Sequence, residues 1–221
     1  MAINILDPES TVSLNQKFRE KRFKFFSSLL NKIKTNGQLK ILDIGGTEIY
    51  WERMGYLPAD YAEVTLLNLE ETPTKLTNYK SIIGNACDLS EFEDGSFDIA
   101  FSNSVIEHLF AKENHRKMAD EVRRVAKYYY IQTPNRYFPI EPHWLFPFFQ
   151  FLPFNVKVFL TRNFTLGHIE KTNNKQKAIS IVNEIQLLTE KEMKNIFPDG
   201  KVYREQFLGI KKSITMYRFP E

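Results

Sequence analysis

An acidic residue followed by two glycines is the first feature of this sequence that could bind a ligand. Asp43 closes an apolar run, and Gly45 and Gly46 follow it almost at once. In an open α/β sheet, ligands bind beyond the carboxyl ends of the strands, and glycine lets a ligand come close to the backbone. The full G-x-G-x-x-G fingerprint is absent, because Thr47 and Glu48 come next. A strand-to-helix turn without a ligand is therefore the alternative.

Further residues follow the next three apolar runs in the same way. They are Asn68 and Glu70 at the end of the second run, Asn85 and Ala86 after the third, and Asn103 and Ser104 after the fourth. A polar group after the second strand suits ribose hydroxyls. An amide beside a backbone N–H suits the edge of an adenine ring. Each residue alone is typical of a loop, but the four strand ends together indicate one ligand site.

These residues need a parallel sheet to position them. Short apolar runs at 39–44, 64–69, 80–84, 97–102 and 128–133 alternate with helical patterns, which predicts parallel strands covered by helices on both faces. A helix is predicted over 12–34, and Asn36-Gly37 is expected to stop it. Residues 201–207 and 213–219 alternate like an antiparallel hairpin at one edge of the sheet.

The order of these motifs resembles that of class I S-adenosylmethionine-dependent methyltransferases, and most of all the small-molecule branch called type 11. The resemblance covers about residues 39–133 and is most specific in DGSFDIAFSNSVIEHL, at 94–109. It implies a Rossmann-like, seven-stranded, mostly parallel sheet with an antiparallel last strand. It also implies methyl transfer from S-adenosylmethionine to a small-molecule, sugar or lipid-linked acceptor, with oxygen as the expected acceptor atom.

The resemblance also implies cofactor-binding roles, residue by residue. They fall to Asp43, Gly45, Gly46 and Thr47 at the amino-acid end of the cofactor, Asn68 and Leu69 at the ribose, Asn85 and Ala86 at the adenine, and Asn103 and Ser104 below the methyl group.

The sequence departs from the family at several of these positions. Thr47 and Ile49 stand where later glycines are usual, and Asn68 and Asn85 replace acids. The departures motivate an alternative, a methyltransferase-like binding or scaffold protein without catalysis. A nicotinamide-dependent oxidoreductase is disfavoured, because the three-glycine fingerprint is missing.

The candidate catalytic residues lie just past the fifth strand, on the ligand side of the sheet. His143 and Glu141 flank Pro142, and His143 is the predicted general base for an oxygen acceptor. A lid residue held by local hydrogen bonds is the alternative. His115, on the polar face of a predicted helix, is expected to be a solvated surface residue.

No metal ion is assigned from the sequence. Some methyltransferases bind a divalent ion through Glu-x-x-Glu-His and a later His, but Ser104 replaces the first of those carboxylates here. Glu107, His108 and His143 would still offer three ligands, so a metal site remains an alternative.

Residues 134–180 interrupt the strand and helix pattern with a segment rich in proline and phenylalanine. One interpretation is an aromatic lid whose rings pack on the sheet. The other is an apolar wall for a lipid-linked acceptor, or a patch that contacts a membrane together with the basic N-terminal helix. A single domain is predicted, divided into a helical cap (1–36), a cofactor-binding core (37–133), the lid insertion (134–180) and a C-terminal helix and hairpin (181–221).

Composition excludes several other classes of protein. The 221 residues carry a formal net charge of +3, too mild for the basic footprint of a nucleic-acid-binding protein. A single cysteine, Cys87, excludes an intrachain disulfide and a cysteine-based zinc site. The first ten residues do not resemble a secretory signal, and no apolar run approaches 20 residues. We therefore expect a cytoplasmic enzyme, and the oligomeric state stays open.

Overall fold

The computed structural model describes residues 14–35, 37–55 and 57–221. The helices are α1 (Leu14–Leu30), α2 (Glu48–Met54), α3 (Lys112–Val125), α4 (Phe154–Asn163), α5 (Lys175–Glu184) and α6 (Glu190–Ile196). The strands are β1 (Leu39–Ile44), β2 (Ala62–Asn68), β3 (Tyr79–Ile83), β4 (Phe97–Asn103), β5 (Ala126–Pro134), β6 (Ile140–Glu141), β7 (Phe146–Pro147), β8 (Lys201–Phe207) and β9 (Ile210–Arg218).

Seven of these strands form one sheet, in the order β3-β2-β1-β4-β5-β9-β8. The strands from β1 to β5 pair in parallel, and β9 pairs antiparallel with both of its neighbours. The predicted fold class and its antiparallel last strand are confirmed. The order reverses between β1 and β4, so the carboxyl ends of these two strands border the crevice where such sheets bind ligands.

Helices cover both faces of the sheet. On one face, Phe26 of α1 and Trp51 of α2 pack with Phe101 and Tyr130 of the sheet. On the other face, α3 and α6 form a second buried cluster with the sheet. The residues of α3 in that cluster recur at helical spacing, and they are Met118, Ala119, Val122 and Val125.

The first helix is shorter than predicted. After Leu30 the chain tightens into i→i−3 hydrogen bonds, from the N–H of Lys32 to Leu29 and from the N–H of Ile33 to Leu30. The regular α-helix therefore ends before residue 34. Two parts of this prediction lie outside the described residues: the first two helical positions, 12 and 13, and Asn36 of the expected stop. Arg22 fastens the helix to the sheet edge through a buried ion pair with Glu205 of β8, at 2.9 Å.

The aromatic insertion packs mainly on itself and on α5. Trp144 stacks on Phe149 with ring centroids 4.1 Å apart, and the two join Val158, Ala178 and Val182 in a separate buried cluster. The expectation that its rings pack on the sheet is therefore wrong for this cluster, because α5 supplies the apolar partner face. No described helix has the length and apolar character needed to cross a membrane. The four-part division of the chain stays a prediction.

Candidate active site

The loop after β1 requires an unstrained left-handed residue without a side chain at position 45, which glycine provides. Gly45 has a φ of +74°, and a Cβ there would overlap the side chain of Val105. Val105 follows β4, so the segments after two neighbouring strands touch at this glycine. The next residue in the chain, Gly46, is constrained by space alone, because a Cβ would overlap the carboxylate of Asp43.

Asp43 lies beneath this loop and is only 1% exposed. Its Oδ2 accepts a 2.7 Å hydrogen bond from the indole Nε1 of Trp51, a partner that sequence reasoning missed. Burial raises the pKa of Asp43 to about 7, and the bond from Trp51 partly offsets that rise. The other oxygen, Oδ1, is buried without a hydrogen-bond partner among the described residues. The site therefore offers an unused acceptor for an amino group or a water molecule.

Asn68 joins the end of β2 to the glycine loop. Its Nδ2 donates to the carbonyl of Gly46 at 2.9 Å and to Oγ1 of Thr72 at 3.1 Å. Both amide hydrogens are thereby used within the protein, so its Oδ1 is the atom that can accept from a ribose hydroxyl. The next residue, Leu69, is 77% exposed at the same edge of the sheet. Thr72 was not anticipated from the sequence.

The remaining predicted cofactor residues lie at the same edge, in turns. Asn85 Oδ1 accepts from the N–H of Cys87 at 2.9 Å, which leaves its Nδ2 as the atom for a ligand, and Ala86 beside it is buried. Thr47 caps α2 by accepting from the N–H of Tyr50.

Ser104 adopts a left-handed backbone conformation, with a φ of 61°. Its hydroxyl donates a hydrogen bond to the side-chain Oε1 of Gln132, 3.0 Å away, and its backbone N–H donates to the backbone carbonyl of Gln132. Non-glycine residues in this conformation are strained and cluster at functional sites. Asn103 precedes it as the last residue of β4, and its side chain is half-buried.

The two predicted catalytic residues are in direct contact. His143 Nδ1 lies 2.7 Å from Glu141 Oε1. The other oxygen of Glu141 accepts from the backbone N–H groups of His143 and Trp144. Burial lowers the pKa of His143, but the hydrogen bond and charge of Glu141 outweigh it, so the net shift is upward. Since Glu141 is buried and both of its oxygens are engaged, it positions His143.

His108 and Glu107, from the short 3₁₀ turn after β4, meet His143. The Nε2 atoms of His108 and His143 are 3.2 Å apart, and His108 Nδ1 lies 3.2 Å from Oε1 of Glu184. Glu107 is fully buried, and its Oε2 accepts from the hydroxyl of Thr133 at 3.0 Å. Burial raises the pKa of Glu107. Nothing local in the sequence marks Glu184, which is 76 residues from His108.

The expectation that His115 is a solvated surface residue is wrong. It is 4% exposed on the inner side of α3, and burial lowers its pKa. It lies where α3 and α6 pack, so it is covered although its neighbours in sequence are charged. His168 is exposed, and its backbone N–H donates to the carbonyl of His143.

Residues 42–128 match the methyltransferase domain family. This part of the chain is a class I methyltransferase domain of the type 11 branch. The matched segment runs from the end of β1 into β5 and contains every predicted cofactor residue. S-adenosylmethionine is accordingly the cofactor of this enzyme. A search of curated proteins gives no match.

Solved structures support the fold of this methyltransferase. One is an S-adenosylmethionine-dependent methyltransferase from Methanosarcina mazei, with a TM-score of 0.51 and 18% identity, over 85% of this chain and 93% of the other. A protein from Pyrococcus horikoshii has a TM-score of 0.51 and 16% identity, over 95% of this chain and 92% of the other. A third structure is the 1,6-didemethyltoxoflavin-N1-methyltransferase of Burkholderia thailandensis, solved with S-adenosylhomocysteine. Its TM-score is 0.53 and its identity 11%, over 90% of this chain and 76% of the other.

Proposed function

We propose that this methyltransferase moves the methyl group of S-adenosylmethionine to an oxygen of a small-molecule acceptor. The observation that carries the proposal is the convergence of three strand ends on one loop. Asn68 after β2 bonds Gly46, Val105 after β4 packs on Gly45, and Asp43 at the end of β1 lies below both. These are the three places from which this fold contacts a nucleoside ligand.

The residues of the site suit the parts of this cofactor. The unpartnered Oδ1 of Asp43 can accept from its amino group, directly or through water. The side-chain Oδ1 of Asn68 can accept a hydrogen bond from a ribose hydroxyl, and Nδ2 of Asn85 can donate one to the adenine edge. Thr47 and Leu69 would border the methionine and ribose portions, and Ala86, Asn103 and Ser104 complete the proposed contacts. Both asparagines therefore have a usable atom in place of the usual acids.

The chemistry asks mainly for alignment. The cofactor supplies a methyl group on a positively charged sulfur. The acceptor oxygen bonds the methyl carbon as the carbon–sulfur bond breaks, the electron pair stays on the now neutral sulfur, and the hydroxyl proton leaves the oxygen. Holding reactants in line can supply about 7–11 kcal/mol of a barrier. We assign activation of the oxygen to His143, positioned by Glu141, either as a base or as the ligand of an ion.

The surface of the insertion favours a lipid-linked acceptor over a free sugar. Six of its aromatic side chains are between 45% and 65% exposed, and they are Tyr137, Phe148, Phe151, Phe154, Phe159 and Phe164. Exposed apolar groups in such number are typical of surfaces that contact lipid or another protein. Lys157 and Arg162 on α4 add positive charge beside them, which suits an anionic headgroup.

Co-sedimentation with vesicles tests this surface. We expect the protein to bind vesicles that contain anionic lipid at low salt, and the double variant Phe148→Ser, Phe159→Ser to lose that binding. Leu208→Asn is the matched control, because Leu208 is a similarly exposed apolar residue in the β8–β9 turn. Equal binding by the double variant and the control, or none by the unmodified protein, would contradict the lipid-linked acceptor while leaving methyl transfer intact.

Calorimetric titration tests the cofactor site itself. We expect micromolar binding of S-adenosylmethionine and S-adenosylhomocysteine and none of NAD. Asp43→Ala should abolish binding, whereas Asp98→Ala should not, since Asp98 lies near the opposite end of β4 and accepts from the N–H of Lys40. Turnover of methyl-labelled cofactor over an acceptor panel then separates an enzyme from a scaffold. A cytoplasmic location belongs to the proposal, because the lone Cys87 fits a reducing compartment.

A further inference from the structure

Two imidazoles in the site face each other through their Nε2 atoms, and a carboxylate lies against the Nδ1 atom of each ring. The Nε2 atoms of His108 and His143 are 3.2 Å apart, while their Nδ1 atoms lie against Glu184 and Glu141. Histidines that bind a metal ion almost always use their second ring nitrogen in this way, to fix the tautomer and the ring orientation. With Nδ1–H donating to the carboxylates, both Nε2 lone pairs face one point.

The spacing of the two nitrogens fits a shared ion. Two nitrogens bound at about 2.0–2.1 Å in a tetrahedral arrangement lie about 3.3 Å apart, close to the observed 3.2 Å. Glu107 supplies the third ligand, and the ligand atoms of the three residues all lie within 4.8 Å of one another.

Glu107 supplies an observation independent of the histidines. The residue is fully buried, Oε2 is held by Thr133, and Oε1 is buried without a hydrogen-bond partner in the described part of the chain. A buried, unpartnered carboxylate oxygen is costly unless a cation or a donor meets it. An ion between the two Nε2 atoms would supply that partner.

We propose that Glu107, His108 and His143 bind one divalent transition-metal ion, with Glu141 and Glu184 as the carboxylates that orient the two imidazoles. Two imidazoles and one carboxylate suit Zn²⁺, Mn²⁺, Co²⁺ or Fe²⁺ rather than Mg²⁺ or Ca²⁺, which prefer oxygen ligands. Three protein ligands leave at least one coordination position open, the arrangement of catalytic rather than structural metal sites.

The open position deepens the proposed function, on which this part of the inference rests. It would hold the acceptor oxygen, lower the pKa of its hydroxyl and fix its direction toward the methyl group. The hydroxyl proton then passes to water, since the Nε2 lone pair of His143 is used by the ion. His143 therefore activates the oxygen as a ligand and not as a base.

Metal content is the first test, and it needs neither cofactor nor acceptor. The full chain is stripped with EDTA, dialysed against Zn²⁺ or Co²⁺, and analysed by mass spectrometry. We expect about one ion per chain, a visible Co²⁺ spectrum and a higher unfolding temperature with Zn²⁺. The variants His108→Ala, His143→Ala and Glu107→Gln should each lose the ion and the temperature shift. The control His168→Ala removes an exposed ring and should retain both.

Two further comparisons separate the metal site from a structural hydrogen bond between the histidines. Glu141→Gln should weaken Zn²⁺ binding by about 10- to 100-fold, as loss of an orienting carboxylate does elsewhere, while circular dichroism confirms the fold. A stripped protein that takes up no more metal than the His108→Ala, His143→Ala double variant overturns the inference. So does a folded Glu107→Gln variant with undiminished affinity for the ion.

The outcomes for the metal and for methyl transfer can be told apart. Binding of S-adenosylmethionine is titrated in EDTA, where the metal site plays no part. Full turnover in EDTA would overturn the metal inference and leave the methyltransferase proposal standing. Tight metal binding without any affinity for the cofactor would overturn the methyltransferase proposal and leave the metal site standing.

Discussion

Replacing Asp43 by Asn should make the protein more stable at alkaline pH, even though it removes an acidic residue from the cofactor site. The carboxylate is buried beneath Gly46 with one oxygen unpartnered, and burial raises its pKa from 3.8 to about 7. Asn has the same shape, and its Oδ1 can still accept the hydrogen bond from Trp51. The variant resembles the protonated acid at every pH.

The magnitude follows from the two pKa values. Below pH 3.8 the side chain is protonated in both the folded and the unfolded protein, so its titration has no effect on stability. Between pH 3.8 and 7 only the unfolded chain ionises, and the folded state loses stability as the pH rises. At about 1.4 kcal/mol per pKa unit, the cost is about 2 kcal/mol at pH 5 and about 4 kcal/mol at pH 8, as upper values.

Urea unfolding at pH 5 and at pH 8 measures this difference. The free energy of unfolding of Asp43→Asn should exceed that of the unmodified protein by more at pH 8 than at pH 5, whereas the control Asp98→Asn should show no such trend. S-adenosylhomocysteine should reduce the gain, because its amino group would stabilise the ionised carboxylate. Parallel pH profiles for Asp43→Asn and the unmodified protein would refute the burial argument.

Three further outcomes follow from the same geometry. Gly46→Ala should cost about 1–3 kcal/mol and weaken cofactor binding, because its Cβ overlaps the Asp43 carboxylate; an unchanged urea midpoint would contradict this overlap. Arg22→Met should cost at most about 3–5 kcal/mol, because it leaves the buried Glu205 with only the more distant Lys212 Nζ, 3.9 Å away, as a cationic partner, and the Arg22→Met, Glu205→Leu double variant should recover most of the loss. His143→Ala should lower turnover by more than the roughly 10- to 100-fold that follows from losing a residue that only orients a metal ligand, with little change in cofactor affinity, and equal turnover would make the residue structural.

Local pattern was sufficient to predict the sheet. The runs at 39–44 and 201–207 coincide with β1 and β8, and the others differ from their strands by a few residues at the ends. Buried parallel strands are recognisable as short apolar runs. Thr189 and Glu192 form a capping box at the start of α6, and their Thr-x-x-Glu spacing is visible in the sequence. The glycines after β1 could also be identified, because a close backbone approach allows few other residues.

Only the tertiary structure decided how the polar residues are partnered. The contacts of His108 with His143 and Glu184 span 35 and 76 residues, and no periodicity carries such information. His115 is covered because α6 packs against α3 there, although its sequence neighbours are charged.

The aromatic insertion shows the same division between sequence and structure. Composition predicted an apolar segment, but its buried cluster formed with α5 and not with the sheet. A hydrophobic side chain is stabilised by any apolar surface that excludes water, so the sequence determines that it must be covered. The arrangement of the helices determines what covers it.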